Sequence, residues 1–254
     1  MQIKLSVLFI AALFFTSNAR SFIIGKEQPG SAEDSTSKTK NPVNTELGLI
    51  AYYPFNGNAN DAGKNHYDGL VKRARLCEDK NGKPNSAYHF NGSDNYIQVD
   101  NIKDLDAIET ITICAWVYPQ SYSSYVAWLS KPACPYNSQI RAGFGDVKDK
   151  NWGLTLYNDS NWFEYNAKDN LIPLNQWSFV VISANTKTGE AKAYLNGKEV
   201  GVWQKIRKFA HSKLPMYIGY QVDDGEYFDG KIDEIRIYNR VLSAEEILTL
   251  YKLL

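Results

Sequence analysis

The chain has 254 residues, with 28 Lys and Arg balanced by 28 Asp and Glu, so its formal net charge is zero. That balance argues against nucleic acid as the main partner, because phosphate binding needs clustered Lys and Arg. Aromatic residues make up 13% of the chain, with 17 Tyr against 2 Met, a composition of strands and turns rather than helices.

Residues 1–19 read as an export signal. Lys4 supplies the positive start, Leu5 to Phe15 is an unbroken apolar run, and Ser17 and Ala19 fit a small-x-small cleavage pattern. The run is too short to cross a hydrocarbon core of about 30 Å, and no later stretch is apolar enough to do so. The expected location is therefore secreted, periplasmic or on the cell surface, with no membrane span.

Residues 20–46 follow as a flexible linker. From Gly25 to Thr45 aliphatic side chains almost vanish and Pro, Gly, Ser, Thr and charges replace them. Such a stretch buries too little apolar surface to offset its ordering entropy. A globular domain is expected over residues 47–254.

Within that domain short apolar–polar alternations recur between Gly, Asn and Asp turns. They begin at Leu49 to Phe55, Ser86 to Phe90, Asn95 to Val99 and Thr110 to Tyr118. Further runs lie at Tyr125 to Ser130, Asn151 to Tyr157, Trp162 to Tyr165, Trp177 to Ala184 and Glu190 to Leu195, and the last two at Leu214 to Gly219 and Gly230 to Tyr238. Period-two patterning with turn chemistry between the runs predicts strands. Asn196-Gly197 is a two-residue hairpin signal, and Asn91-Gly92 repeats it. The fold class expected is all-β, a two-sheet antiparallel sandwich.

One short helix is expected at the C-terminus. Ser243 and Glu246 form a capping box, Leu242 and Ile247 take the staple positions, and Ile247, Leu250, Tyr251 and Leu254 share one face. Of the three cysteines, Cys114 sits in a strand run, whereas Cys77 and Cys134 lie in loop-like sequence. Export permits a disulfide between the latter two, and nothing in the sequence proves one.

The blocks Tyr52-Tyr-Pro-Phe-Asn-Gly, Ala87-Tyr-His-Phe-Asn-Gly and Ile111-Thr-Ile-Cys-Ala-Trp-Val-Tyr-Pro resemble laminin-G-like domains of the concanavalin A-like lectin/glucanase superfamily. So do Leu174-Asn-Gln-Trp, Ala193-Tyr-Leu-Asn-Gly and the ending from Phe228 to Ile247. The resemblance covers residues 47–254 and implies a jelly-roll of two curved sheets. It says little of activity, since such folds carry lectins, adhesion modules and hydrolases alike.

Three chemistries compete. Asn56, Asn58, Asn60 and Asp61 bring several side-chain oxygens within six residues, a set that suits a hard cation or simply caps turns. The resemblance implies a structural Ca2+ held by Asn56, Asp61, the Gly92 carbonyl and Asp233. Glycoside hydrolysis needs paired carboxylates, and the Glu-x-Asp-x-x-Glu strand of the superfamily's β-glucan-cleaving enzymes is missing. His66, His89 and His211 are scattered, with no nucleophile elbow near them. Sugar binding asks for aromatic faces beside Asn, Asp and Arg. Trp162, Tyr227, Phe228 and Arg141 are the candidates for it. The chain is thus expected to be an exported binding module for a glycan. The alternatives are a module for an extracellular protein and a divergent hydrolase or lyase.

Overall fold

Alternating side chains sort this sequence into two layers. The computed structural model describes residues 44–254, apart from 135–136, 147, 149–150, 159–160, 168–171 and 223–224. The side chains of Cys134, Asn137, Ser138, Tyr157, Asn158, Asn161 and Trp162 are also outside the description. The expected leader and nearly all of the expected linker fall outside it too.

In chain order the strands are β1 (Leu49–Tyr53), β2 (Gly69–Lys72), β3 (Arg75–Cys77), β4 (Ala87–Asn91) and β5 (Tyr96–Val99). They continue with β6 (Thr110–Pro119), β7 (Ala127–Cys134), β8 (Asn137–Phe144), β9 (Trp152–Asn158), β10 (Asn161–Ala167) and β11 (Ser178–Asn185). The series closes with β12 (Glu190–Leu195), β13 (Lys198–Gln204), β14 (Met216–Ile218), β15 (Tyr220–Gln221), β16 (Glu226–Tyr227) and β17 (Asp229–Tyr238). A helix, α1 (Ala244–Leu253), ends the chain.

Sheet 1 runs β13-β12-β11-β6-β17-β4-β3, with β1 also on β17, and sheet 2 runs β10-β9-β8-β7-β14-β5-β2. All strand pairs are antiparallel. The main core lies between the sheets. Ile113, Ala115 and Val117 of β6, Val180 and Ile182 of β11, and Ile232, Ile235 and Ile237 of β17 face Ile97, Val99, Ile140, Leu154 and Ile218. Each such side chain removed from water contributes about 1.5–3 kcal/mol.

The outward face of sheet 1 is partly covered as well. Cys114, Trp116, Phe179, Val181 and Tyr194 pack against Ile247 and Leu250 of α1. The helix starts where the sequence expects it: Ser243 Oγ accepts from the Glu246 N–H, and the Glu246 carboxylate accepts from the Ser243 N–H.

β17 is the strand that organises sheet 1. Its first residues pair with β4 and its last with β1, on the same side, while β6 runs along the other. A bulge between Asp233 and Arg236 lets it serve both, with Glu234 at φ +52°. The bulge also explains why the isoleucines are spaced 232, 235, 237 yet all point inward. Just beyond, Arg240 ties the two ends of the domain together. Its Nε donates to the Leu47 carbonyl at 2.6 Å, and the Asn239 N–H donates to the Gly48 carbonyl at 2.9 Å.

Candidate functional site

The site is built where the edge strands of the two layers meet. β2 ends at Lys72, Arg73 takes a left-handed conformation at φ +60°, and the chain crosses into β3 of the other sheet. Opposite, the turn after β4 follows from its residues. Asn91 Oδ1 accepts the N–H groups of Ser93 and Asp94, both at 3.1 Å, and Gly92 supplies φ +68°. This turn presents Asp94 to Arg73, and Arg73 Nη1 donates to Asp94 Oδ2 at 2.5 Å. Asn91 Nδ2 and Asn95 Nδ2 donate to the other oxygen, at 2.8 and 3.2 Å. The Asn91 amide first, and then the Arg73 guanidinium, hold the Asp94 carboxyl below its usual range.

Two hollows flank this pair and share it. One, of about 540 Å³, is lined by Arg73, Arg75, His89, Asn91, Asp94 and Asn95. The other, of about 470 Å³, is lined by Val71, Lys72, Arg73, Asp94, Tyr96 and Tyr227. Together they form a cleft around the edge of the sandwich.

On its sheet 2 side the cleft opens onto a cluster of four tyrosines. Tyr220 and Tyr227 stack at 4.5 Å between ring centroids, Tyr96 stands 5.2 Å from Tyr220, and Tyr217 meets Tyr220 edge-on at 5.6 Å. The hairpin of β15 and β16 carries two of them. It is set by Gly219 at φ +76°, where a Cβ would collide with the Phe90 ring at 2.4 Å. Ser130 Oγ then holds the Tyr220 carbonyl at 2.7 Å. Burial, and after it the neighbouring Tyr227, pushes the Tyr220 hydroxyl up to about 12, so it stays a neutral donor at any physiological pH.

The cluster belongs to a longer outward-facing row. Strand register aligns Leu70, Gln98, Tyr217, Ser130, Arg141, Thr155 and Glu164 across all seven strands of sheet 2. Arg141 is 3% exposed. Its Nη2 donates to Thr155 Oγ1 at 2.7 Å and Glu164 Oε1 at 3.1 Å, and its guanidinium lies 5.1 Å from the Tyr125 ring centroid.

The sequence candidates for ligand contact separate here. Tyr227 lines the cleft, and Arg141 stands on the same outward face. Phe228 does not belong with them: it is 1% exposed and packs edge-on against Phe90 in the core, since alternation turns it away from Tyr227. Trp162 falls in β10, with its side chain outside the described residues. Reasoning from sequence missed Arg73, Arg75, Asp94, Asn95, Tyr96 and Tyr220. The Asn-Gly-Ser-Asp-Asn turn was the available signal for three cleft residues.

The residues expected to hold calcium have partners within the protein. Asp61 Oδ1 accepts the N–H groups of Tyr52 and Gly63, both at 2.8 Å, and Oδ2 accepts that of Tyr67 at 3.0 Å. Asn56 Oδ1 accepts from the Lys83 ammonium at 2.6 Å. The Gly92 N–H donates to the Phe228 carbonyl, and Asp233 lies in the β17 bulge with Oδ1 accepting the Glu234 N–H. Among the described residues no group of three His, Cys, Asp or Glu side chains converges on a point. The turn-capping role of Asp61 is sufficient to explain its burial.

Residues 91–248 match the family model Laminin_G_3, described as the concanavalin A-like lectin/glucanases superfamily. The chain belongs to this superfamily. No curated protein matches the chain. Among solved structures, this laminin-G-like domain is similar to domain 4 of AbnA, a GH43 extracellular arabinanase from Geobacillus stearothermophilus, in complex with arabinotriose. The TM-score is 0.64 at 22% identity, over 80% of this chain and 98% of that one. It is also similar to the receptor-binding domain of botulinum neurotoxin C/D mosaic serotype. There the TM-score is 0.63 at 17% identity, over 82% of this chain and 51% of that one. The chain thus spans about half the length of the toxin domain. At these identities the likeness establishes the jelly-roll fold.

Proposed function

We propose that the laminin-G-like domain is an exported carbohydrate-binding module that holds an oligosaccharide in the Arg73–Asp94 cleft without cleaving it. The observation that carries this reading is the lining itself. Tyrosine faces suit the C–H surface of a sugar ring, and amide, guanidinium and carboxylate groups fixed in place suit its hydroxyls. Among the described residues Asp94 is the one carboxylate that lines the cleft. Hydrolysis asks for a second about 5–9.5 Å away and for a raised acid, whereas Asp94 is held low. The AbnA domain, solved with arabinotriose, shows that this fold accommodates a sugar chain in one relative. That arabinanase is extracellular, in keeping with the export signal read at residues 1–19.

Isothermal titration against neutral and acidic oligosaccharides, arabinotriose among them, tests the reading. At least one is expected to bind, and Tyr227→Ala and Arg73→Ala are each expected to weaken it by about tenfold or more, roughly 1.4 kcal/mol. No binding across the panel, or variants that bind like the parent, overturns it. A protein receptor of the kind seen in the toxin–synaptotagmin II complex would then be the reading to pursue.

A further inference from the structure

The cleft continues onto the outward face of sheet 1 as a row that the net charge of the chain conceals. Register places Arg75 of β3 beside His89 of β4, His89 beside Lys231 of β17, and Lys231 beside Tyr118 of β6. Their strand neighbours Leu76, Tyr88 and Ile232 pack into the core, so these four face outward. Adjacent strands are about 4.8 Å apart, and three basic side chains therefore stand in line over roughly 10 Å. Arg75 and His89 also line the larger hollow, which joins the row to the cleft.

Two of the charges in this row have no contact ion pair: among the described residues neither Arg75 nor Lys231 forms one. The Lys231 ammonium lies 5.1 Å from the Tyr118 ring centroid, and His89 Nε2 is 2.9 Å from Gln120 Oε1. Lys72, in the smaller hollow, is likewise without an ion pair among those residues. The carboxylates that flank Lys231 along its own strand are Asp229 and Asp233, two residues away on either side. The Tyr118 ring, edge-on to Trp177 at 5.6 Å, closes the row with an aromatic surface.

Resting on the carbohydrate reading of the cleft, we infer that the ligand is an acidic glycan, whose carboxylate or sulfate groups are taken by Arg75, His89 and Lys231 while its rings lie against the tyrosines. A neutral glycan would leave these charges without use. An anionic chain laid from the cleft across β3, β4 and β17 meets them in succession. Arg75 favours a planar, two-oxygen anion, and Lys231 acts as a point charge beside an aromatic face.

The test is isothermal titration of the protein with three probes of similar length: an oligogalacturonate, a sulfated galactan oligosaccharide and neutral arabinotriose. Titrations are run at about 50 and about 200 mM NaCl, where screening differs strongly. At least one acidic probe is expected to bind about tenfold tighter than arabinotriose and to lose about fivefold or more in affinity at the higher salt. Which one does so separates carboxylate from sulfate recognition. Arg75→Gln with Lys231→Gln is expected to remove that preference, whereas Lys198→Gln with Lys252→Gln, which deletes the same charge far from the row, leaves it in place. Equal binding of neutral and acidic probes, or a preference unchanged in the Arg75/Lys231 variant, overturns the inference and leaves the carbohydrate reading standing. Failure of all three probes and of the wider panel overturns both.

Discussion

Asp233 shows how a single position sets a solvent response. It is 4% exposed in the β17 bulge, and burial, then the neighbouring Glu234 carboxylate, pushes its carboxyl up to about 8 from an ordinary value of 3.8. The folded chain thus keeps a proton there that the unfolded chain releases near pH 4. The contribution to stability is full below about pH 4 and is lost as pH rises to about 8, by up to about 1.4 kcal/mol per unit. Glu234, also raised by burial, acts in the same direction. Asp233→Asn is therefore expected to unfold at a higher temperature than the parent at pH 8, with the gap closing at pH 4.5. Thermal unfolding in EDTA at the two pH values checks it, and a gap independent of pH would contradict it. In the sequence a carboxylate interrupts an isoleucine strand at this position. That signal marked it as unusual but did not distinguish an ion's ligand from a buried acid.

At the level of elements, turns and the helix were easy to read and the middle strands were not. Asn196-Gly197 and the Ser243–Glu246 box each specify local geometry through residues within four positions, and each lies where expected. Asn91-Gly92 instead turns the chain from β4 of sheet 1 to β5 of sheet 2 and closes no hairpin. β8 escaped notice although Ile140 and Ala142 alternate correctly. Its outward positions are Gln139 and Arg141, which resemble loop residues yet are buried. Their partners lie far along the chain: Gln139 Nε2 donates to the Leu105 carbonyl at 2.7 Å, and Arg141 reaches Glu164. The same limit hid the cleft, since Arg73 and Asp94 meet only after two sheets close on each other. For α1 the arithmetic is direct. Ser243→Ala is expected to cost about 1 kcal/mol by losing the cap. Ile247→Ala, which opens a hole over Trp116 and Phe179, is expected to cost about 2–5 kcal/mol. Leu253→Ala, at a position 72% exposed, should change little. Urea unfolding of the three variants gives the order, and a cost at Leu253 equal to that at Ile247 would mean the helix docks by another face.

For the whole molecule, zero net charge misled as much as it informed. It argues against a nucleic-acid partner, yet it averages over a surface where Arg75, His89 and Lys231 stand together in one row. Charge sums are blind to strand order. The calcium expectation is a test at this scale too, because an ion tying several loops together would stabilise the fold as a unit. With Asp61 already satisfied by three backbone N–H groups, EDTA is expected to leave the unfolding midpoint where it is. A fall of several degrees, reversed by millimolar Ca2+, would show that the fold holds an ion after all.

The Arg240 tie has a mechanical meaning. It fastens the residues that enter the domain to those that follow its last strand, so both ends lie at one place. Tension between the two would load Arg240 and the β1–β17 pair and would leave the edge strands of the cleft slack. For the same reason the ends could be joined by a linker spanning the helix, about 15 Å long, and the chain reopened at Asn196-Gly197. The rearranged polypeptide would keep every strand neighbour around the binding surface while moving its point of attachment to the opposite side of sheet 1 from β3.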